Sequence, residues 1–366
     1  MSENWATGAG TAQYFQSRSM PLSKIKHFDS LSVSALGAGT YLGSVDDADD
    51  NHYEKTLLKA GLEGINFFDT AINYRCQRSE RVLGAVIRKL EERGIERNQL
   101  VIATKGGFLP VEGPADQYDD YVRIHYIDTG IIEEKEIVAG CHCMSPAFLD
   151  NQIDSSLKNL SLDCIDLYYL HNPETQFAEI GEEEFYKRLL HAFILFESKV
   201  REKKIVRYGL ATWNGFRQKA DQKGTLQLAK VIECAIEAGG KGHHFKAIQL
   251  PFNLVMLEAI KNQNQIFDRE KKTVAVAAAE NGIALMVSAP LMQSQLGSLC
   301  KRVFQDLPQA PTQMVQCLEF VLSTPEVCTA FCGMRREDHW DENRKVLAEA
   351  AWTPELWHAA CKSIGL

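Results

Sequence analysis

Eight short apolar runs alternate with longer stretches of helical period, and this alternation limits what the chain can fold into. The runs are SVSALG (32–37), INFF (65–68), LVIAT (100–104), IDLYYL (165–170), VRYGLAT (206–212), AIQLPF (247–252), IALMVSA (283–289) and VCTAFC (327–332). Continuous apolar runs of this length suit strands buried on both faces, as in parallel sheets covered by helices. After the second run, Val82, Leu83, Val86, Ile87 and Leu90 recur on one helical face, and Gly94 stands where the helix should end. After the third, Ser145-Pro146 reads as an N-cap and first helical residue, followed by Phe148, Leu149, Ile153, Leu157 and Leu160. Eight such units predict a closed (β/α)8 TIM barrel. An open dinucleotide-binding sheet would carry Gly-x-Gly-x-x-Gly after its first strand, and the glycines at 37, 39 and 43 have the wrong spacing.

Two features interrupt the alternation: residues 106–144 form a long insertion after the third strand, and residues 172–182 read as a shorter polar loop after His171. Residues from 1 to about 28 form an N-terminal extension. No repeat or linker divides the chain, so residues 1–366 read as one barrel domain. The insertion mixes Phe108, Tyr118, Tyr121 and Tyr126 with Asp116, Asp119 and Asp120. It leaves from the rim on which barrel active sites are built, and either shapes a pocket or makes subunit contacts.

A net charge of −8 argues against a general binder of nucleic acid or of membrane surfaces, both of which call for basic patches. The N-terminus lacks the basic and apolar regions of a secretory signal, and no apolar stretch is long enough to span a bilayer. Ten scattered cysteines in such a chain fit reduced thiols, and with them a cytoplasmic location. Cys141-His142-Cys143 lacks the second ligand pair that a zinc site needs, so no metal is expected.

The strand ends carry chemistry. INFF runs into Asp69, LVIAT into Lys105 and IDLYYL into His171, with Tyr74 five residues beyond Asp69. A tyrosine near pH 10 is a poor proton donor-acceptor at neutral pH, and a nearby ammonium fixed by a carboxylate is expected to lower that value. A histidine beside them can orient a carbonyl by hydrogen bonding. Such a set moves protons on alcohol or carbonyl oxygens and needs a redox cofactor to move hydride.

At these residues the sequence resembles the aldo-keto reductase family. GINFFDTAINYRCQRSERVLG (64–84) looks like its signature, and VIATKGG, DLYYLHNPE, IQLPFN, APL and CGMRREDHWDEN follow in family order, so that the resemblance runs from about 30 to 350. The resemblance implies NADPH-dependent reduction of aldehydes or ketones. Tyr74 would be the general acid, with Lys105 and Asp69 as its tuners and His171 as the carbonyl-orienting donor. Tyr41, Tyr74, His171 and Trp213 would meet a small carbonyl substrate. The cofactor would lie on Gly39, Thr40, Asp69, Thr212, Trp213, Gln249, Ser288, Pro290, Leu291, Gly333, Met334, Arg335, Arg336, His339, Glu342 and Asn343. Gly333 is expected to open a helix whose first turn carries Arg335 and Arg336, and planar guanidinium groups suit the 2′-phosphate of NADPH.

Two positions depart from the family pattern. Ala211-Thr212 stands where a Ser-Asn pair usually holds the nicotinamide carboxamide, and Ser288 stands where an aromatic ring usually stacks on it. These departures keep open an alternative, an NADPH-binding regulatory or interaction protein with little turnover.

Overall fold

In a computed structural model of the chain, describing residues 3–113, 117–292, 295–308 and 310–366, eight parallel strands close into a barrel. They are β3 (Leu36–Gly39), β4 (Phe67–Asp69), β5 (Val101–Gly106), β6 (Ile165–His171), β7 (Ile205–Ala211), β8 (Phe245–Pro251), β11 (Ala284–Ser288) and β12 (Val327–Gly333). Pairing runs around the circle in that order, with β12 returning to β3. Two antiparallel hairpins stand outside it, β1 (Ile25–Phe28) with β2 (Leu31–Ser34) and β9 (Gln265–Phe267) with β10 (Glu270–Lys272).

The first apolar run therefore divides. Its opening residues belong to hairpin strand β2, and only Leu36 and Gly37 enter the barrel, with Ala35 between. The hairpin explains the division, because Phe28, Leu31 and Val33 pack with Phe67, Val101, Leu167 and Met286 and close the N-terminal end of the barrel interior. Phe28 stacks on Phe67 with ring centroids 6.0 Å apart. The N-terminal extension, with its helix Gly8–Gln16 capped by Thr7, is thus joined to a barrel stopper rather than being a loose arm.

Side chains alternate across each strand with period two. Phe68, Ile102, Tyr168, Leu170, Ile248 and Leu250 face outward into the core shared with the helices, whereas Phe67, Ala103, Tyr169, Ala247 and Met286 fill the interior. The helix Arg78–Glu91 buries Val82, Leu83, Val86, Ile87 and Leu90 as the periodicity predicts, and Gly94 turns the chain beyond it at φ 84°. The helix Pro146–Leu160 starts with Pro146 in its first turn, but the Ser145 hydroxyl faces the Cys143 thiol instead of capping it. The insertion forms a short helix, Tyr118–Val122, with a π-helical turn after it. Leu109, Val122, Tyr126, Ile132 and Cys143 pack there against Phe148 in an apolar cluster of their own. Asp116 lies outside the described residues. Among those residues no helix is long and apolar enough to cross a membrane.

Candidate functional site

Period-two alternation decides which residues share the C-terminal rim. Two residues beyond inward-facing Phe67, Ala103, Tyr169, Ala247 and Met286 stand Asp69, Lys105, His171, Gln249 and Ser288, one layer higher on the same face. The register agrees: Gly39 pairs with Asp69, His171 with Ala211, and Ala211 with Gln249. Side chains far apart in sequence so form one ring at the mouth of the barrel.

Asp69 and Lys105 make the centre of the ring. Lys105 Nζ donates to Asp69 Oδ2 at 2.6 Å and to the Thr70 carbonyl at 2.7 Å, while Gln249 Nε2 donates to Asp69 Oδ1 at 3.0 Å. Burial pushes the Asp69 carboxyl up and the Lys105 ammonium down, and each group's charge restrains the other's shift. Thr104, facing outward, donates to the buried Glu80 at 2.6 Å and ties β5 to the helix Arg78–Glu91. The strand run thus includes Lys105 and His171 rather than stopping before them.

Tyr74 sits on the turn after β4, with Lys105 Nζ 5.0 Å from its ring centroid. Its ring meets Tyr41 and His171 edge-on, with centroids 5.0 Å and 5.8 Å away. Three successive residues after it, Arg75, Cys76 and Gln77, adopt left-handed φ values of 48°, 52° and 67°. The bend is held by buried Arg75, which donates to the Ser44 carbonyl at 2.7 Å and to Asp50 at 2.7 Å. The expected lowering of the Tyr74 pKa is reversed: burial, then the Asp69 charge, raise it well above its ordinary value. Lys105 directs two of its three donors to Asp69 and Thr70, and burial keeps the proton on the phenol.

His171 lies between Tyr74 and Phe108, whose ring is 5.0 Å from it. Burial and the nearby Lys105 charge hold its imidazole neutral, well below the ordinary histidine range, and its Nδ1 is buried with no protein partner among the described residues. His142 is also neutral, pushed by burial down to about 4. Its ring nitrogens meet the His171 carbonyl at 2.7 Å and the Gln176 amide at 3.2 Å, which removes the metal-ligand reading of Cys141-His142-Cys143. Both imidazoles have depressed pKa values, so the stability they contribute is complete above the unfolded value near 6.5 and is lost as pH falls, for His142 as it falls toward about 4. For His142 alone the loss amounts to about 3 kcal/mol. Urea midpoints measured from pH 7 to pH 4 should fall less steeply for His142→Gln than for the wild type.

The expected cofactor residues occupy the rest of the rim. Gly39 and Gly333 pair at neighbouring strand ends, and Thr40 Oγ1 bonds Thr70 Oγ1 at 2.8 Å. Thr212 is buried with its hydroxyl unpartnered among the described residues, at the strand end where the sequence departs from the family. Trp213 is half exposed; its backbone N–H donates to Glu174 Oε1 at 2.7 Å, as do those of Asn214 and Gly215 at 2.9 and 3.3 Å. Glu174 thus fixes the turn after β7, a role that no motif announced. Pro290 and Leu291 are buried next to Ser288 and Ala289, the latter at φ 50°.

The arginines are placed differently from expectation. The helix after β12 spans Glu337–Asn343, so Arg335 and Arg336 precede it, with Arg336 as its N-cap. Arg336 caps it in extended conformation, at φ −116° and ψ 149°, and Asp338 in the first turn accepts from the His339 amide at 3.1 Å. Arg335 Nη1 bonds the buried Asp49 at 2.9 Å, and Arg336 Nε bonds Asp338 at 3.0 Å. Both guanidinium groups stay partly exposed, at 37% and 51% of the side chain, so each retains free donors. His339 and Glu342 are half-buried on the helix, and Asn343 is buried.

The model of the Aldo/keto reductase family matches residues 35–315. A protein named putative voltage-gated potassium channel subunit beta, of Schizosaccharomyces pombe, is 27% identical over 209 residues, 57% of this chain and 50% of that protein. One named probable voltage-gated potassium channel subunit beta, of Arabidopsis thaliana, is 30% identical over 147 residues, 39% of this chain and 35% of that protein. The chain spans half or less of the length of these curated relatives. Among solved structures, an aldo-keto reductase of Bacillus halodurans in its holo form superposes with a TM-score of 0.63 at 19% identity, over 93% of this chain and 95% of that one. An aldo/keto reductase of Klebsiella pneumoniae in complex with NADP and acetate gives 0.62 at 17%, over 93% and 94%. A glycerol dehydrogenase of Gluconobacter oxydans gives 0.64 at 15%, over 94% and 96%. At these identities the structural likeness concerns the fold.

Proposed function

The chain belongs to the aldo/keto reductase family, and from that premise we propose that it is an NADPH-dependent reductase of aldehyde or ketone carbonyls. The observation that carries the reading is the convergence of Tyr74, Lys105, Asp69 and His171 on one inward layer of the barrel mouth. Tyr74, kept protonated by burial and by the Asp69 charge, donates its proton to the carbonyl oxygen. The neutral His171 imidazole holds that oxygen by a hydrogen bond. Lys105, anchored by Asp69, places a positive charge near the phenolate left behind. Tyr41, largely exposed, and Trp213, half exposed, line the approach for the substrate. The same reading treats the chain as one barrel domain.

A reduced nicotinamide cofactor supplies the hydride when bound. The residues present fit such a group: the buried hydroxyl of Thr212 has no partner among the described residues and stands at a strand end next to that of Gln249. Thr212, Trp213, Gln249, Ser288, Pro290 and Leu291 would hold the nicotinamide half, with Gly39 and Thr40 beside it. Gly333, Met334, Arg335, Arg336, His339, Glu342 and Asn343 would hold the adenosine half. The free donors of Arg335 and Arg336 favour a 2′-phosphate over a ribose hydroxyl. Titration followed by protein fluorescence should show NADPH binding at least about tenfold tighter than NADH, or about 1.4 kcal/mol. Arg335→Ala should erase most of that preference. Equal affinity for the two cofactors would refute the NADPH assignment.

A second reading, an NADPH-binding regulatory or interaction protein, is favoured by Ala211 and Ser288 at the nicotinamide end and by Gln249 being engaged by Asp69. The names of the potassium-channel relatives point the same way. Tight NADPH binding with no carbonyl turnover across a broad panel would select it.

A further inference from the structure

We infer that His142, on the insertion after β5, is a positioning residue that fixes the backbone and ring of His171. The inference rests on the reductase reading for its catalytic consequence, and on hydrogen-bond logic for its geometry. Arg188 has only donors, and its Nη1 lies 2.9 Å from Gln176 Oε1, which settles the orientation of that amide. The amide nitrogen of Gln176 must then face His142, and it stands 3.2 Å from Nδ1. Nδ1 accepts, so the imidazole proton is on Nε2. Nε2 donates it to the His171 carbonyl at 2.7 Å. A carbonyl only accepts, so the chain Arg188–Gln176–His142–His171 is consistent at every link.

The surrounding backbone is shaped to this bond. Gly107 sits at φ 132°, and a Cβ there would lie 2.8 Å from His142 Nε2 and 3.1 Å from the His171 carbonyl oxygen. Only glycine lets the chain leave β5 past that contact. Gln152 then pins both sides of the departure, accepting from Gly107 N at 2.7 Å and donating to the Phe108 carbonyl at 2.7 Å. Cys143 N returns a bond to the Gly107 carbonyl at 2.8 Å, and Leu109 N bonds the Cys141 carbonyl at 2.8 Å. Phe108 meets both His142 and His171 edge-on, at 5.2 Å and 5.0 Å. The insertion is thus a built wall of the site, and its two ends converge on one side of His171.

Because His171 Nδ1 is buried and has no partner among the described residues, packing is what those residues supply to orient the ring itself. Restraint comes through the main chain, which His142 holds. The test compares His142→Phe, which keeps a ring without a donor, with His142→Gln, which returns an N–H near Nε2. Nitrogen NMR of the His171 imidazole, kcat/KM for carbonyl reduction and NADPH affinity are read on the full-length protein. His171 should give one sharp neutral tautomer in the wild type and exchange-broadened lines in His142→Phe. That variant should lose about 10–100-fold in kcat/KM at unchanged NADPH affinity, with recovery to within about threefold in His142→Gln. Unchanged His171 lines in His142→Phe would overturn the inference. Equal losses in both variants, accompanied by weaker NADPH binding, would also overturn it by assigning His142 to packing. The NMR arm needs no turnover, so a wild type that reduces no carbonyl sinks the reductase reading and leaves that arm to judge His142.

Discussion

Replacing Tyr74 by phenylalanine lowers kcat/KM for carbonyl reduction by roughly 10²–10⁴-fold, the range expected when a positioned proton donor is removed. The edge-on ring contacts with Tyr41 and His171 do not use the hydroxyl and survive the change, so NADPH affinity should stay within about twofold. The raised Tyr74 pKa adds a second signature. The phenol stays protonated through neutral pH, so the reduction rate should show no decline from tyrosine ionisation at or below the ordinary value near 10. Steady-state kinetics of the variant beside a cofactor titration check both points. A Tyr74→Phe enzyme of wild-type rate would remove Tyr74 from the chemistry.

Lys105→Met should abolish turnover and also destabilise the fold. Removing one member of a buried pair leaves the other charge uncompensated, which typically costs about 3–5 kcal/mol. Asp69 would keep only Gln249 as a side-chain donor among the described residues. The carboxyl answers by taking a proton, the direction in which burial already pushes it. Asp69→Asn combined with Lys105→Met should therefore regain most of the lost stability and none of the activity. Denaturation of the single and double variants measures this coupling. Additive losses of stability would mean that the 2.6 Å contact carries little energy.

The barrel was legible because its strands are buried on both faces and its helices repeat with a different period. The site was legible for a related reason: polar residues at the ends of apolar runs have few places to go except the rim. The division of the first run was not, since Leu31 and Val33 are as apolar as barrel residues, yet face the barrel interior from a hairpin. Arg335 and Arg336 were recognised as a basic pair, but their carboxylate partners lie 286 residues away for Asp49 and two for Asp338. Only folding brings the first of these together. Glu174 and Gln176 carried no signal, because a carboxylate capping backbone amides and an amide bridging Arg188 to His142 leave no spacing rule in a sequence. His142 stands out in the sequence between two cysteines, but its partner, a backbone carbonyl, is invisible to residue patterns. The direction of the Tyr74 shift depends on burial and on the nearby Asp69 charge, and both are properties of the fold.

The central claim is that this barrel mouth reduces carbonyls with NADPH, and isotope transfer tests it most directly. The wild-type protein is incubated with NADPH deuterated at the nicotinamide C4 position and a panel of aldehydes and ketones, and the alcohols are analysed by mass spectrometry. The account predicts alcohols carrying one deuterium on the carbinol carbon, with Tyr74→Phe producing far less at the same cofactor occupancy. Saturating NADPH binding with no deuterated alcohol from any carbonyl would contradict it.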